Sequence, residues 1–248
     1  MTSPPPETAP SQTDGRKSPA AQPCPGGETT DIAMMAAPDI AETTRPAAPA
    51  AGGTLLIGCG ALAREMLALI EAHGWRDMAV TCLPAHYHNT PQKIPAAVQA
   101  KIRENRDRYT RIFVLYGDCG TGGLLDAVLA EEGVARIPGP HCYQFYAGTA
   151  DFTRLMEAEP GSFFLTDYLA RHFERLIIEG LGLDRHPELR DDYFGNYSKL
   201  VYLAQREDAG LRTAARAAAA RLGLAYEYRL TGYGEMAGFL AGVAGAES

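Results

Sequence analysis

Apolar runs alternate with amphipathic stretches along the chain from residue 53 onward. Residues 54–58 form a short apolar run that ends in glycine, which is typical of a strand buried on both faces. Residues 61–73 place apolar side chains at helical spacing and stop at Gly74, so they predict a helix. The same alternation predicts strands at 78–83, 111–116 and 134–137, helices at 96–108 and 124–132, and a loop at 84–91.

The second half of the chain has a less regular pattern. It predicts a helical stretch at 166–181, a loop-rich passage at 184–197, strands at 199–204 and 226–230, a helix at 210–222, and a final helix from about Glu235. Strands that alternate with helices favour parallel sheets built from right-handed crossovers. We therefore predict an α/β fold with Rossmann-like parallel sheets and flanking helices, divided into two unequal halves at 53–150 and 151–248.

The first 52 residues have a different composition from the rest of the 248-residue chain. They contain 10 of the 17 prolines, no aromatic residue and long stretches of Ala, Pro and Thr. Such a segment cannot bury enough apolar surface to form a core. We predict a disordered Pro/Ala-rich tail at 1–52, followed by one α/β domain at 53–248.

The charge balance argues against two classes of partner. The net charge is −7, and the part after the tail holds 20 basic and 24 acidic residues without a clustered Lys/Arg face. Nucleic acids and anionic membranes both require a positive surface, so neither is expected. No run approaches the roughly 18 apolar residues of a membrane span, and no signal-peptide pattern opens the chain. We expect a cytoplasmic protein whose five cysteines are reduced.

Soft metal ligands follow four consecutive predicted strands. Cys59 follows the first strand, His88 the second, Cys119 the third and Cys142 the fourth. Because the carboxyl ends of parallel strands share one edge of a sheet, we expect these side chains to converge. Thiolate and imidazole together suit zinc or an iron–sulfur cluster far better than magnesium or calcium. The sequence has no paired CxxC spacing, so this prediction depends on that convergence.

Other uses of the same residues stay open at this point. His86 or His141 is an alternative to His88 as the nitrogen ligand. Cys119 is also a candidate nucleophile, activated by the N-terminus of the following helix and by His141 or His88. Cys82 lies within the second strand, where a small buried core residue is expected.

Two glycine-rich turns are candidate cofactor-binding segments. Gly58 and Gly60 fit the G-x-G-x-x-A form of the dinucleotide fingerprint, although no acidic residue ends the second strand. Gly117 and Gly120 belong to a loop that would present backbone amides to an anion, although it lacks the Gly-Lys-Ser/Thr ending of a phosphate loop. The glycines are equally compatible with tight turns alone.

Two acidic residues near these turns are candidate catalytic groups. Asp118 and Glu65 would orient a ligand histidine or supply a proton, while solvated or capping roles are equally plausible. In the second half, residues 205–206 and 231–235 follow strands and would close the crevice opposite the thiols. The alternative role for these two segments is an ordinary turn followed by the start of a helix.

Four motifs in order are similar to those of a known family. They are IGCGALARE (57–65), LPAHYHN (83–89), LYGDCG (115–120) and PGSFFLT (160–166). Over roughly residues 53–240 the chain resembles the domain-of-unknown-function family 1638. The family pattern has a histidine where His88 stands and cysteines where Cys59, Cys119 and Cys142 stand. The resemblance implies an association with corrinoid-dependent methyl transfer.

These observations combine into one expected function with two alternatives. The expected function is a metal-binding Cys/His protein, with zinc or an iron–sulfur cluster, acting in or supporting corrinoid-dependent methyl transfer. A corrinoid protein or methyltransferase is then a candidate partner, and a small thiol or methylated compound a candidate substrate. The alternatives are a non-catalytic cofactor- or partner-binding module and a nucleotide-dependent oxidoreductase. Whether the protein is itself an enzyme stays open.

Overall fold

The computed structural model describes residues 52–245, and this part of the chain has the predicted α/β fold. The predicted disordered tail lies outside the described residues except for Gly52. The strands are β1 (Thr54–Cys59), β2 (Met78–Leu83), β3 (Arg111–Leu115), β4 (Ala135–Arg136), β5 (Ser162–Leu165), β6 (Lys199–Ala204) and β7 (Ala225–Leu230). The helices are α1 (Ala63–His73), α2 (Ile94–Asn105), α3 (Leu124–Glu132), α4 (Cys142–Ala147), α5 (Thr149–Ala158), α6 (Asp167–Arg171), α7 (Arg190–Phe194), α8 (Ala209–Leu222) and α9 (Gly234–Gly245).

The strands form two parallel sheets. The first has the order β2-β1-β3-β4, and the second has the order β5-β6-β7. All six residues of β1 are buried, as the continuous apolar run predicts for a central strand with helices on both faces. Because every pair is parallel, the carboxyl ends of all strands in a sheet lie at one edge.

One hydrophobic core is shared between the two sheets. Alternate residues of β5 and β6 point to opposite faces, so Phe164 and Val201 join the core of the first sheet while Leu165 and Leu200 join a second core under α8. Helix α9 returns to the first sheet, where the rings of Phe113 and Phe239 pack edge to face at 6.3 Å. The core of the first sheet therefore includes residues from both predicted halves.

The structure differs from the predicted elements mainly between residues 142 and 197. Helices α4 and α5 and strand β5 were not predicted, and α7 lies in the stretch predicted to be loop-rich. The helix predicted at 166–181 is two pieces, because α6 ends at Arg171 and Glu174–Glu179 forms a π-helical segment. The loop predicted at 84–91 contains a 3-10 turn, Ala85–Asn89. In residues 52–245, no helix is long and apolar enough to cross a membrane.

Candidate metal centre

The four candidate ligands lie along the carboxyl edge of the first sheet. Cys59 is the last residue of β1, and His88 lies in the 3-10 turn that follows β2. Cys119 lies in the loop between β3 and α3, and Cys142 is the first residue of α4, which follows β4. The parallel order of the strands therefore brings all four to one edge, as predicted.

Three of the potential ligand atoms are close enough to surround one ion. One ring nitrogen of His88, the Cys119 Sγ and one ring nitrogen of His141 lie within 4.8 Å of one another. The Sγ of Cys142 lies 3.6 Å from His141 Nδ1. The rings of His88 and His141 are nearly perpendicular, with centroids 5.0 Å apart. The structure thus brings His88, Cys119 and Cys142 together and adds His141 beside them.

Cys59 lies beside this cluster rather than within the closest three atoms. It is buried at the end of β1, with 9% of its surface exposed. Burial and then the charge of Cys59 raise the pKa of Cys82 to about 12. The pKa of Cys142 is raised mainly by its hydrogen bond to Cys119, and then by burial and by the charge of Cys119. The charge of Cys59 makes a smaller contribution in the same direction. Cys59 is therefore within electrostatic reach of the cluster, while Cys82 is a buried residue of β2.

The hydrogen bonds distinguish the three candidate histidines. The backbone N–H of Tyr143 donates to His141 Nδ1 at 3.2 Å, so this nitrogen caps α4 and its lone pair is in use. His88 hydrogen-bonds with the Cys119 sulfur. His86 instead packs edge-on against Tyr87, with ring centroids 5.1 Å apart. His88 is accordingly the better placed nitrogen ligand, and His141 is a neighbour that orients the start of α4.

Protons are distributed unequally between the two adjacent cysteines. The hydrogen bond with Cys142 holds the pKa of Cys119 well below its usual range. Burial acts in the opposite direction, and the hydrogen bond with His88 lowers the pKa further. The same hydrogen bond and burial raise the pKa of Cys142 well above its usual range. Burial lowers the pKa of His141 to about 4, so its imidazole is neutral at pH 7. Thiol and imidazole side chains in contact are the donor groups that a thiophilic metal requires, so these residues fit such an ion.

The Cys119 loop is held in an unusual backbone conformation. Cys119 has φ +48°, and it is the one non-glycine residue with a left-handed φ among residues 52–245. Its N–H donates to Pro140 O at 2.8 Å, and the N–H of Asp118 donates to Gly139 O at 3.0 Å. These two bonds fix the loop after β3 against the loop after β4. A costly conformation that is held by its surroundings is typical of a functional position.

The close approach of these two loops requires glycine at position 117. A Cβ added there would lie 2.8 Å from His141 Cα and 2.9 Å from its carbonyl carbon. Both are backbone atoms that cannot move without displacing the neighbouring Cys142.

We expect Gly117→Ala to separate the two loops because the new methyl group and the His141 backbone cannot occupy the same space. The change should destabilise the protein by about 1–3 kcal/mol and lower its metal content. Urea unfolding and metal analysis measure the two effects. Gly238→Ala is the matched control, because a Cβ on that residue of α9 meets no atom within 4 Å. Equal stability and metal content in both variants would contradict the packing argument.

The other glycines predicted to bind a cofactor also approach protein atoms closely. A Cβ on Gly58 would meet the end of the Met66 side chain at 2.6 Å, and one on Gly60 would meet Leu83 O at 3.1 Å. Gly120 has φ +85° and lies against Pro91. Turn geometry and packing account for these glycines, and their role in cofactor binding stays a prediction.

Asp118 organises its own loop. Its Oδ1 accepts hydrogen bonds from Thr121 Oγ1 at 2.5 Å and Gly123 N at 2.8 Å, and its Oδ2 accepts one from Gly122 N at 3.1 Å. Burial raises the pKa of Asp118, but these hydrogen bonds outweigh it and leave the pKa below its usual value. The carboxylate therefore stays ionised and acts as a cap for the turn, and its catalytic role stays a prediction.

Glu65 is in a different environment from Asp118. It lies in the first turn of α1 and has 6% of its surface exposed. Burial raises the pKa of Glu65 from 4.5 to about 7. A hydrogen bond from its own backbone N–H opposes this rise, and the charge of Asp167 adds to it. A carboxyl group that titrates near neutral pH is suited to exchange protons, so its catalytic role stays a prediction with a physical basis.

A hydrogen-bonded network from the second sheet faces Glu65. Asp167 Oδ1 accepts from the Tyr202 hydroxyl at 2.7 Å and from Gln205 N at 3.1 Å. Gln205 Oε1 in turn accepts from Asp167 N at 2.7 Å. Gln205 was among the residues predicted to close the crevice, whereas Asp167 was missed because β5, which it follows, was not recognised as a strand.

The other segment predicted to close the crevice has a structural contact. The Glu235 carboxylate accepts hydrogen bonds from Thr149 N at 2.7 Å and from Thr149 Oγ1 at 3.1 Å. Glu235 therefore caps the N-terminus of α5 from a distant part of the chain. This contact links α9 to α5 at the junction of the two sheets.

A family model described as "Protein of unknown function (DUF1638)" matches residues 82–240. The chain belongs to the DUF1638 family. The part matched to DUF1638 contains His88, Cys119 and Cys142, whereas Cys59 and the first motif precede it. No match was found among curated proteins or among solved structures.

Proposed function

We propose that this DUF1638 protein binds a thiophilic metal ion through Cys59, His88, Cys119 and Cys142. The observation that carries the proposal is the approach of His88 and Cys119 ligand atoms to within 4.8 Å of each other at a buried strand edge, with the Cys142 side chain hydrogen-bonded to Cys119. A chance cluster of exposed polar groups would not combine this proximity with burial of Cys119 to 7% exposure. Thiolate and imidazole donors select zinc and similar metals over hard cations.

The compactness of the cluster favours a single ion over an iron–sulfur cluster. Tetrahedral zinc with thiolate and imidazole ligands separates its donor atoms by about 3.5–3.8 Å, as its bond lengths require. The ligand atoms of His88 and Cys119 lie within 4.8 Å of each other, which is close enough for one ion to contact both. An iron–sulfur cluster carries its own sulfide between the irons and holds its cysteine ligands further apart. We therefore propose a zinc-type site, with an iron–sulfur cluster as the alternative outcome of the test.

The residues of the chain would prepare this site for reaction with a thiol. A bound zinc-type ion would supply thiolate activation when a thiol displaces one of the four ligands, because the ion stabilises the ionised form of sulfur at neutral pH. His88 hydrogen-bonds with Cys119, and the His141 contact with Tyr143 fixes the start of α4. Glu65, with a pKa near 7, would accept the proton that a thiol releases.

The narrower role is support of corrinoid-dependent methyl transfer. Its support is the resemblance of the four sequence motifs, together with donor chemistry that suits methyl transfer to sulfur. In that role a partner's corrinoid would supply the methyl group and keep the electron pair of the broken carbon–cobalt bond, and the residues of this chain would hold the accepting sulfur in its ionised form. A corrinoid protein or methyltransferase would be the partner, and a reducing compartment such as the cytoplasm would keep the thiols available.

The first experiment is metal and sulfide analysis with an ultraviolet–visible spectrum of anaerobically purified protein. We expect about one zinc-type ion for each chain, as the one cluster of donor atoms among residues 52–245 indicates. The Cys59/Cys119/Cys142 triple serine variant should lose it, and Cys82→Ser should keep it because that sulfur is buried in β2. A folded wild-type protein that stays free of metal after zinc and iron supplementation would refute the proposal. Iron with sulfide would instead identify a cluster.

A second candidate function is favoured by the lowered pKa of Cys119. The same thiolate, beside His88, would serve as a nucleophile without any metal. Rapid alkylation of Cys119 by iodoacetamide in a metal-free wild-type protein would support this function. Slow alkylation that becomes fast only after chelation would support the metal site.

A further inference from the structure

Strand β7 is an edge strand that is open to solvent. It has six residues, none of them buried, and β6 is its one strand neighbour among residues 52–245. The other edge strands are protected, since β2 is buried throughout, β4 has two residues, and three of the four residues of β5 are buried. Leu230, at the end of β7, is 50% exposed. A long open edge is a template for pairing with another chain.

The backbone of β7 presents hydrogen-bonding groups on this edge. The N–H of Ala225 donates to Ser198 O beside β6 at 3.0 Å, and the pairing with β6 continues without a bulge to Leu230. Alternate residues of a strand direct their backbone groups to opposite sides. Tyr226, Tyr228 and Leu230 therefore direct their N–H and C=O groups away from β6. These groups are placed to bond a further strand.

The charges on β7 are complementary to those of a second copy in one register. In a symmetric antiparallel pair, the residue on the two-fold axis lies opposite itself, and residues at equal distances on either side lie opposite each other. With Tyr228 on the axis, Glu227 of each copy lies opposite Arg229 of the other. An axis at Glu227 or at Arg229 would instead place like charges opposite each other, which is destabilising. Charge complementarity thus selects the axis at Tyr228.

The same register uses all the outward-facing backbone groups. Tyr228 then forms a hydrogen-bonded pair with Tyr228 of the second copy, and Tyr226 forms one with Leu230. The exposed Leu230 side chain would lie beside the Tyr226 ring. The two rings are already fixed from α8, because the guanidinium carbons of Arg212 and Arg216 lie 4.5 Å and 5.1 Å from the Tyr228 and Tyr226 ring centroids. The aromatic face is therefore formed before a second copy binds.

The ion pairs on the other face of β7 can be shared across the axis. Glu227 Oε2 accepts a hydrogen bond from Lys199 Nζ at 2.9 Å, and its Oε1 accepts one from Arg229 Nε at 2.6 Å. All three side chains remain in contact with solvent. Each carboxylate can therefore accept a bond from Arg229 of the second copy and keep its bond from Lys199.

We propose that two copies of this chain associate through β7 as antiparallel strands, with Tyr228 on the two-fold axis. The two three-stranded sheets then become one six-stranded sheet. A second copy always carries the matching charges, whereas an unrelated strand would have to acquire them. One strand pair covers less surface than a standard interface, and Arg212 lies over the ring nearest the axis in both copies, so we expect a Kd of about 1–100 µM. This interface lies in the second sheet and does not depend on the metal proposed above.

Sedimentation equilibrium of the full-length protein, from about 1 to about 500 µM, tests the association. We expect monomer at the lowest concentration, and dimer without larger species at the highest, because a two-fold pair uses the open edge of both copies. A protein that stays monomeric at the highest concentration would overturn the proposal and leave β7 to a different partner.

Two charge variants test the register. Arg229→Glu places glutamates opposite each other and Glu227→Arg places arginines opposite each other, so each should weaken the dimer by at least about tenfold. An equimolar mixture of the two variants should associate again, because every facing pair then has opposite charges. Arg76→Glu makes the same charge change at an exposed residue before β2 and should dimerise like the wild type. Charge variants that circular dichroism shows to be folded, and that dimerise like the wild type or fail to associate when mixed, would refute this interface.

A proline variant tests the backbone hydrogen bonds. The N–H of Leu230 points away from β6, so Leu230→Pro removes a bond between the copies without removing one within the sheet. By symmetry the dimer loses two bonds, and we expect it to weaken by at least about tenfold. Leu230→Ala keeps the N–H and should weaken the dimer less. Equal dimer affinity in these two variants would show that the copies do not pair through β7.

Discussion

Cys119→Ser should lower the affinity for zinc by more than about 100-fold, which exceeds the effect expected from loss of an orienting neighbour. Cys119 is expected to dominate because its sulfur is already held as a thiolate by Cys142 and His88. Its backbone is also fixed at φ +48° by the bond to Pro140 O, so no neighbouring residue can replace it. The serine hydroxyl is a harder donor and stays protonated at neutral pH.

Competition with a chromophoric chelator measures this affinity directly. Cys82→Ser is the control, because Cys82 is also a cysteine of the first sheet but lies within β2, where it is 2% exposed. Its affinity should stay close to that of the wild type. If the two variants bind zinc equally well, Cys119 is not a ligand and the metal centre as proposed is wrong.

Glu65→Gln should stabilise the protein at pH 8 by about 3 kcal/mol and by less than about 1 kcal/mol at pH 5. The pKa of Glu65 is raised to about 7 in the folded protein from 4.5. Between these values the folded state holds the proton more tightly than the unfolded state, so stability falls as pH rises. Above pH 7 the full penalty of a buried carboxylate is present, and glutamine removes it because it is neutral at every pH.

Urea unfolding of the wild type and Glu65→Gln across pH 5 to 8 tests this sign. Glu71→Gln controls for the loss of one charge from α1, because Glu71 lies on the exposed side of that helix. A stability difference that is constant with pH would show that Glu65 titrates normally. A glutamine variant less stable than the wild type at pH 8 would show that the Glu65 carboxylate has a favourable partner.

The sequence predicts correctly which edge of the first sheet carries these cysteines, because strand order matters little to that placement, and their role as ligands stays a prediction. Any parallel sheet places the ends of its strands at one edge, so Cys59, Cys119 and Cys142 converge once their strands are recognised. The choice between His88 and His141 depends on the hydrogen bond from Tyr143 N to His141 Nδ1. No local pattern encodes that bond, since it follows from the orientation of a six-residue helix.

The missed part of the site has a different cause. Strand β5 has only four residues, and a run that short is ambiguous between strand and loop without its partner β6. When β5 is not recognised, the sequence pattern places Asp167 inside the helix predicted at 166–181, where nothing marks it as a site residue. Its pairing with Tyr202 and Gln205 is a tertiary contact that forms only once α6 packs against β6.

The return of α9 to the first sheet has a consequence for the order in which the protein assembles. Met236, Leu240 and Val243 of this helix belong to the core of the first sheet, and Val243 O accepts a hydrogen bond from Arg111 beside β1. During synthesis these residues emerge only after the whole second sheet. Cys59, Cys119 and Cys142, at the carboxyl edge of the first sheet, are therefore translated early. The core that supports them is completed late. A nascent chain would expose reduced thiols on an unfinished core until translation passes residue 243.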